Sequence, residues 1–168
     1  GKGLSWFRDT GYAQLIEEIA KTEGFKPIAV IFNLGVNDLG NAGNYVSYMT
    51  SIASTLKSKN CKLFYMSVNP INSTMITKSG RGARTEAQVR EFNSKIRSGL
   101  SLDYKYIDMY SVLMKKGYGT NASYNGTDAD SDDGLHYTTK TFKRIYYYCI
   151  TYLNTGTVSY THLRAHET

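Results

Sequence analysis

The spacing of apolar positions changes period several times along the chain. Tyr12, Leu15, Ile16, Ile19 and Ala20 recur at helical spacing and predict an amphipathic helix over roughly 10–23. Pro27 then introduces IAVIFNL (28–34), a continuous apolar run of the kind expected for a strand buried on both faces. Tyr45, Tyr48, Met49, Ile52 and Leu56 form the apolar stripe of a second helix. KLFYMSVN (62–69) predicts the next strand, closed by Pro70. Thr85 and Gln88 have the spacing of a capping box for a third helix, with Val89, Phe92, Ile96 and Leu100 as its inner face. YKYIDMY (104–110) reads as a third strand, followed by a short helix to about Lys116. A Gly/Asn/Asp-rich loop (117–136) leads to a last helix from Thr139 to Leu153, expected to bury Phe142, Ile145, Tyr146, Cys149 and Leu153.

Strands alternating with helices of this length imply right-handed crossovers and an α/β fold, with a parallel sheet covered on both sides. Ligands on such sheets bind beyond the carboxyl ends of the strands. Those ends carry Gly35 to Asp38, the 70–84 loop and the loop before the last helix, so one rim is expected to hold the chemistry. Neither an internal repeat nor a linker is evident, which suits one domain.

Composition narrows the class. Hydrophobic content of 41% with 20% charged residues is that of an ordinary globular protein. Apolar runs such as Ile28 to Phe32 are far too short to span a bilayer. The net charge of +6 comes from 20 Lys and Arg against 14 Asp and Glu. These cations are scattered over helix faces without a nucleic-acid motif, so no nucleic-acid partner is expected. Cys61 and Cys149 fall on apolar positions and are expected to be free buried thiols. Fifteen tyrosines and Asn-x-Ser/Thr triplets at Asn72, Asn121 and Asn125 favour an extracellular or cell-surface location without deciding the compartment. The final stretch, VSYTHLRAHET (158–168), has no useful periodicity and resembles a translated sequencing-adapter tail. With it set aside as non-native, the domain is 1–157, His162 and His166 drop out, and His136 is the one remaining histidine.

Two short constellations carry candidate chemistry. Asn33-Leu34-Gly35-Val36-Asn37-Asp38 directly follows the first strand. A glycine permits a tight exit, and an amide just beyond it can aim N–H groups at a developing oxyanion. Taken alone, Asn-Asp after a strand is equally turn chemistry or helix capping. Asp132-Asp133-Gly134-Leu135-His136-Tyr137-Thr138 precedes the last helix. An Asp three residues ahead of a His can accept from one imidazole nitrogen and leave the other as a general base. A lone loop histidine is otherwise a plain surface residue.

Together, GxND after a strand and DGxH before the last helix resemble blocks III and V of the SGNH/GDSL hydrolases, an esterase and lipase family. The resemblance covers essentially 1–154. It implies a three-layer α/β/α sandwich with a flavodoxin-like parallel sheet, and serine ester hydrolysis without a cofactor or metal. It also implies that Asn37 donates to the oxyanion, that Asp133 orients His136, and that His136 is the general base. Gly3, with Gly1 as the alternate, is the best match to the family's second oxyanion donor. The family's Gly-Asp-Ser nucleophile block has no counterpart: Ser5 follows Gly3-Leu4, with no strand before it. The expectation is an N-terminal truncation that has lost the first strand and the nucleophile turn, leaving an inactive fragment. A degenerate, non-catalytic member is the alternative.

Two loops are candidates for substrate choice. Arg81 or Arg84, leading into a helix, can hold an anionic group on the substrate, unless that loop is merely a surface loop. Tyr118 and Tyr124 can stack on sugar rings, or simply pack their own loop. Asp128 to Gly134 imitates a calcium loop, but its glycine is one place late and Thr139 replaces the bidentate Glu, so no metal is expected. The expected substrate is a small-molecule or carbohydrate ester, an acetyl ester of a carbohydrate being one candidate, acted on by a monomer. An acyltransferase using the same triad and a non-catalytic binding module are the competing functions.

Overall fold

The computed structural model describes residues 2–22, 24–118 and 133–155. It divides into two compact units, Gly1–Val68 with Ala87–Tyr106, and Asn69–Glu86 with Ile107–Thr168. Helices flank a three-stranded parallel sheet in the order β1 (Ile28–Phe32), β2 (Cys61–Met66), β3 (Tyr104–Ile107), an α/β arrangement. No described helix is long and apolar enough to cross a membrane.

In the first unit the opening helix begins well before the expected start. α1 (Leu4–Trp6), a π-helical turn (Phe7–Gly11) and α2 (Tyr12–Lys21) run on without a break. The π turn inserts an extra step between Phe7 and Tyr12, so the stripe loses its regular spacing there. Leu4 and Phe7 are both buried, and the Phe7 ring meets Tyr12, Phe32 and Tyr48 edge-on at centroid distances of 6.4, 5.6 and 6.0 Å. Offset edge contacts of this kind add to the area that the rings bury. In α3 (Ala42–Ser58), Tyr45, Met49, Ile52 and Leu56 are buried as the stripe predicts. The Tyr104 hydroxyl donates to Met49 O at 2.6 Å, satisfying a polar group that would otherwise be buried unpaired.

β1 and β2 pair in register from Ile28 opposite Cys61 to Phe32 opposite Tyr65. The expectation that β1 is buried on both faces is corrected: Ala29 is exposed and Ile31 half-buried. β1 stands at one end of the strand order, whereas central β2 has only Lys62 exposed. The two strand exits are joined by side-chain amides and a phenol. Asn33 Nδ2 donates to Ser67 O at 2.9 Å, and the Tyr65 hydroxyl donates to Leu34 O at 2.9 Å. Asn93, on α5 (Glu86–Gly99), accepts from Val68 N at 2.8 Å and donates to Val68 O at 2.9 Å. Both of those contacts are buried, which is why an amide sits within the apolar face of α5.

The second unit holds α4 (Ser73–Lys78), α6 (Met109–Lys115) and α7 (Thr139–Thr155). α4 replaces part of the loop expected over 70–84. Asn72 caps it, accepting from Met75 N at 3.0 Å, and Ile76 is fully buried beneath it. Asn72 itself is only 7% exposed, so its triplet does not present an open acceptor for glycosylation; the triplets at Asn121 and Asn125 lie outside the described residues. Asp108 caps α6, accepting from Ser111 N at 3.1 Å. The buried face of α7 is also corrected: Thr141, Ile145, Tyr148 and Cys149 are buried, while Phe142 and Tyr146 are exposed and Leu153 is intermediate. The Thr138 hydroxyl lies 3.3 Å from Thr141 N, so the polar Thr141 can occupy the buried side of the first turn.

Replacing Asn93 by Ala strips partners from a buried N–H and a buried C=O. The expected loss is about 2–6 kcal/mol, at about 1–3 kcal/mol for each orphaned group. Urea denaturation followed by circular dichroism checks this, and a midpoint equal to that of the parent protein contradicts it.

Candidate active site

In the first unit the segment after β1 is built around a glycine and a carboxylate. Gly35 has φ 123°, and a Cβ there would stand 2.3 Å from the Phe92 ring. Only glycine suits that position, and the chain turns sharply out of the strand as a result. Asp38 N closes the turn on Gly35 O at 3.0 Å. The Asp38 carboxylate accepts from Leu4 N at 3.0 Å and from the Tyr45 hydroxyl. Burial, then the adjacent Asp38 carboxylate, pushes the Tyr45 phenol well up, so it remains a donor. Asp38 therefore anchors the N-terminus of α1 from a distant point in the chain, a contact no local pattern announces. Asn37 extends beside the same segment, its Nδ2 donating to Lys2 O at 3.0 Å. Asn37 and the Lys2–Gly3 peptide are thus brought together. Ser5 lies within α1 rather than on a strand-to-helix turn.

In the second unit the loop bearing His136 is organised by Asp133. One carboxylate oxygen, Oδ1, accepts from Leu135 N and His136 N, both at 2.9 Å. The other, Oδ2, lies 2.6 Å from His136 Nδ1 and 3.2 Å from Arg81 Nε. Partial burial pushes the Asp133 carboxyl upward. The His136 backbone N–H, its imidazole and the Leu135 N–H outweigh that and hold the group well below the usual carboxylate range. A permanently ionised Asp133 makes Nδ1 the protonated nitrogen and leaves Nε2 with its lone pair. The Asp133 side chain is only 15% exposed, whereas that of His136 is 65% exposed, so the carboxylate is enclosed and the imidazole is open.

Sequence reasoning missed what holds this loop. Ser79 Oγ donates to Asp133 O at 3.1 Å, and Asn72 N donates to Gly134 O at 2.8 Å. Gly134 has φ 76°, and a Cβ there would stand 2.4 Å from Asn72 O. The glycine of DGxH therefore lets the loop lie flat against the N-terminus of α4. The Tyr137 hydroxyl donates to Pro70 O, adding another tie to the same segment. Recognising α4 from sequence was the missing step, since Ser79 and Arg81 take their positions from it.

The proposed substrate contacts sit differently. Arg81 is turned onto Asp133. Arg84 folds back on its own loop, donating to Arg81 O at 2.6 Å. Tyr118 is corrected: it is 4% exposed, packs against Tyr137 at 6.2 Å and accepts from Arg144 at 2.9 Å, so its ring offers no open face to a sugar. Tyr124, the alternate Gly1, Asp128 to Asp132, His162 and His166 lie outside the described residues. Cys61 and Cys149 are free and buried, and burial pushes the Cys149 thiol up to about 11, which removes it as a neutral-pH nucleophile.

The first unit thus holds a strand exit furnished with an Asn amide, and the second an Asp-oriented histidine ahead of the last helix. The chain belongs to the GDSL-like lipase/acylhydrolase family, whose model matches residues 1–148. It is a hydrolase of the SGNH type, a family of ester hydrolases. Comparison with curated proteins and with solved structures gave no match.

Because the folded-state Asp133 carboxyl is more acidic than an unfolded one, its stabilisation is fully present above about pH 4 and is lost as pH falls toward the lower folded value. Below about pH 5 the stability advantage of the parent over Asp133→Asn should therefore shrink as the pH falls and the folded-state carboxylate is protonated. Thermal melts across that range check the sign; an advantage that grows as the pH falls contradicts it.

Proposed function

We propose that this domain hydrolyses small carboxylic esters by a serine mechanism in which His136 is the general base. Asp133 fixes its tautomer, and Asn37 with the Gly3 N–H receives the oxyanion. The observation that carries this reading is the Asp133–His136 hydrogen bond, with an enclosed carboxylate and an exposed ring, in a chain matching the family over 1–148. His136 Nε2 takes the serine proton as the oxygen attacks the ester carbonyl. Asn37 exchanges Lys2 O for the substrate oxygen as negative charge develops there. The imidazolium then protonates the leaving alcohol, and the same nitrogen activates water to release the acid.

No residue among the 168 is assigned as the nucleophile, since no Gly-Asp-Ser occurs in them and Ser5 is helical. The serine is proposed to come from a Gly-Asp-Ser segment encoded upstream of Gly1. A carbohydrate acetyl ester is the finer substrate reading; with Tyr118 packed away, it rests on Tyr124 alone among the two tyrosines first considered. Arg84 remains a proposed contact for an anionic substrate group once its loop opens.

The test compares two proteins on p-nitrophenyl acetate. The 168-residue chain should show no turnover that depends on His136, while the product of the upstream-extended reading frame should be active. In the latter, Asn37→Ala is expected to cost about 100- to 1,000-fold in kcat, and His136→Ala about 10⁴-fold or more. An upstream sequence without Gly-Asp-Ser sinks the hydrolase reading in favour of a binding module. Net acetyl transfer to an added sugar in preference to water establishes a transferase.

A further inference from the structure

We infer that Arg81 is a positioning residue for the Asp133–His136 pair, holding the carboxylate in place and restraining the proton affinity of the imidazole. The inference rests on the dyad reading above and adds a third member to it. Two donors converge on Asp133 Oδ2: His136 Nδ1 at 2.6 Å and Arg81 Nε at 3.2 Å. The remaining oxygen is occupied by the Leu135 and His136 N–H groups, so the carboxylate cannot rotate without breaking contacts on both sides.

Position and charge both follow from the way the loop is tied. Ser79 Oγ holds the Asp133 carbonyl at 3.1 Å, two residues before Arg81, so the arginine is delivered to the carboxylate by a fixed stretch of backbone. Arg81 N also donates to Ile76 O at 3.3 Å at the end of α4. Arg84, the next cation along, donates to the carbonyls of Arg81 and Gly82, and the Tyr137 hydroxyl is directed to Pro70 O. Among the described residues, the guanidinium of Arg81 and the imidazole of His136 face Asp133 Oδ2. A carboxylate alone raises the proton affinity of its histidine partner. A second cation sharing the same oxygen opposes that rise, because protonating His136 then sets two positive charges about one acceptor. The carboxylate, and through it the imidazole, is thereby kept oriented.

This assignment needs no substrate, which separates it from anion capture by Arg81. The test is an NMR titration of the 168-residue chain, with the His136 signal assigned by its loss in His136→Asn. Arg81→Gln should move the His136 titration upward, modestly because the Arg81 side chain is 55% exposed. Arg81→Lys should restore most of the parent value, and Asp133→Asn should lower it. An unchanged titration in Arg81→Gln, with Asp133→Asn still lowering the pKa, overturns the role of Arg81 and leaves the dyad intact. An unchanged titration in Asp133→Asn overturns the dyad reading and this inference with it. Arg81 is at the surface, so its variants should fold; near-parent melting points for Arg81→Gln and Arg81→Lys verify this in the same samples.

Discussion

One carboxylate organises the His136 loop of the second unit. Asp133 accepts two backbone N–H groups on Oδ1 and the imidazole on Oδ2, so loop conformation and histidine tautomer are set by the same group. Such a concentration of donors demands a charged acceptor, and the charge is maintained because each donor favours the ionised form. The loop itself needs a floor. α4 provides it through Asn72 N, while Gly134 provides the close approach that any side chain would block. A residue larger than glycine at 134 would displace the loop from α4, and with it the base.

The first unit solves a related problem at the ends of its strands. A parallel strand exit leaves backbone groups that no further ladder can satisfy. Asn33, Tyr65 and Asn93 take up those groups at the ends of β1 and β2. With the exits fixed, Gly35 turns the chain and Asp38 captures the helix N-terminus, which leaves Asn37 beside Lys2 and Gly3. The motif GxND therefore divides its labour: the glycine and the aspartate build, and the asparagine is left with an amide that can serve a ligand.

Much of this was legible in the sequence because local spacing and composition carry it. The sheet strands, α3, α5 and the Asp133–His136 contact follow from periodicity and from a three-residue separation. The start of the first helix was hidden because the π turn breaks the spacing between Phe7 and Tyr12. α4 is six residues long and contains Thr74, Ile76 and Thr77, too short and too β-branched to declare a helical period. In α7, three consecutive tyrosines make several stripes equally apolar, and a buried Thr141 decides between them only through its contact with Thr138. Edge exposure of β1 and the pairing of Arg81 with Asp133 depend on which segments become neighbours, and no local pattern encodes that.

The central claim is that Asp133 holds His136 in the tautomer that leaves Nε2 as the base. The ¹⁵N chemical shifts of the His136 ring, recorded above its titration, read this directly. The account predicts a protonated Nδ1 and an unprotonated, pyridine-like Nε2. A ring protonated on Nε2, or one averaging between the two tautomers as a free imidazole in water does, would contradict it.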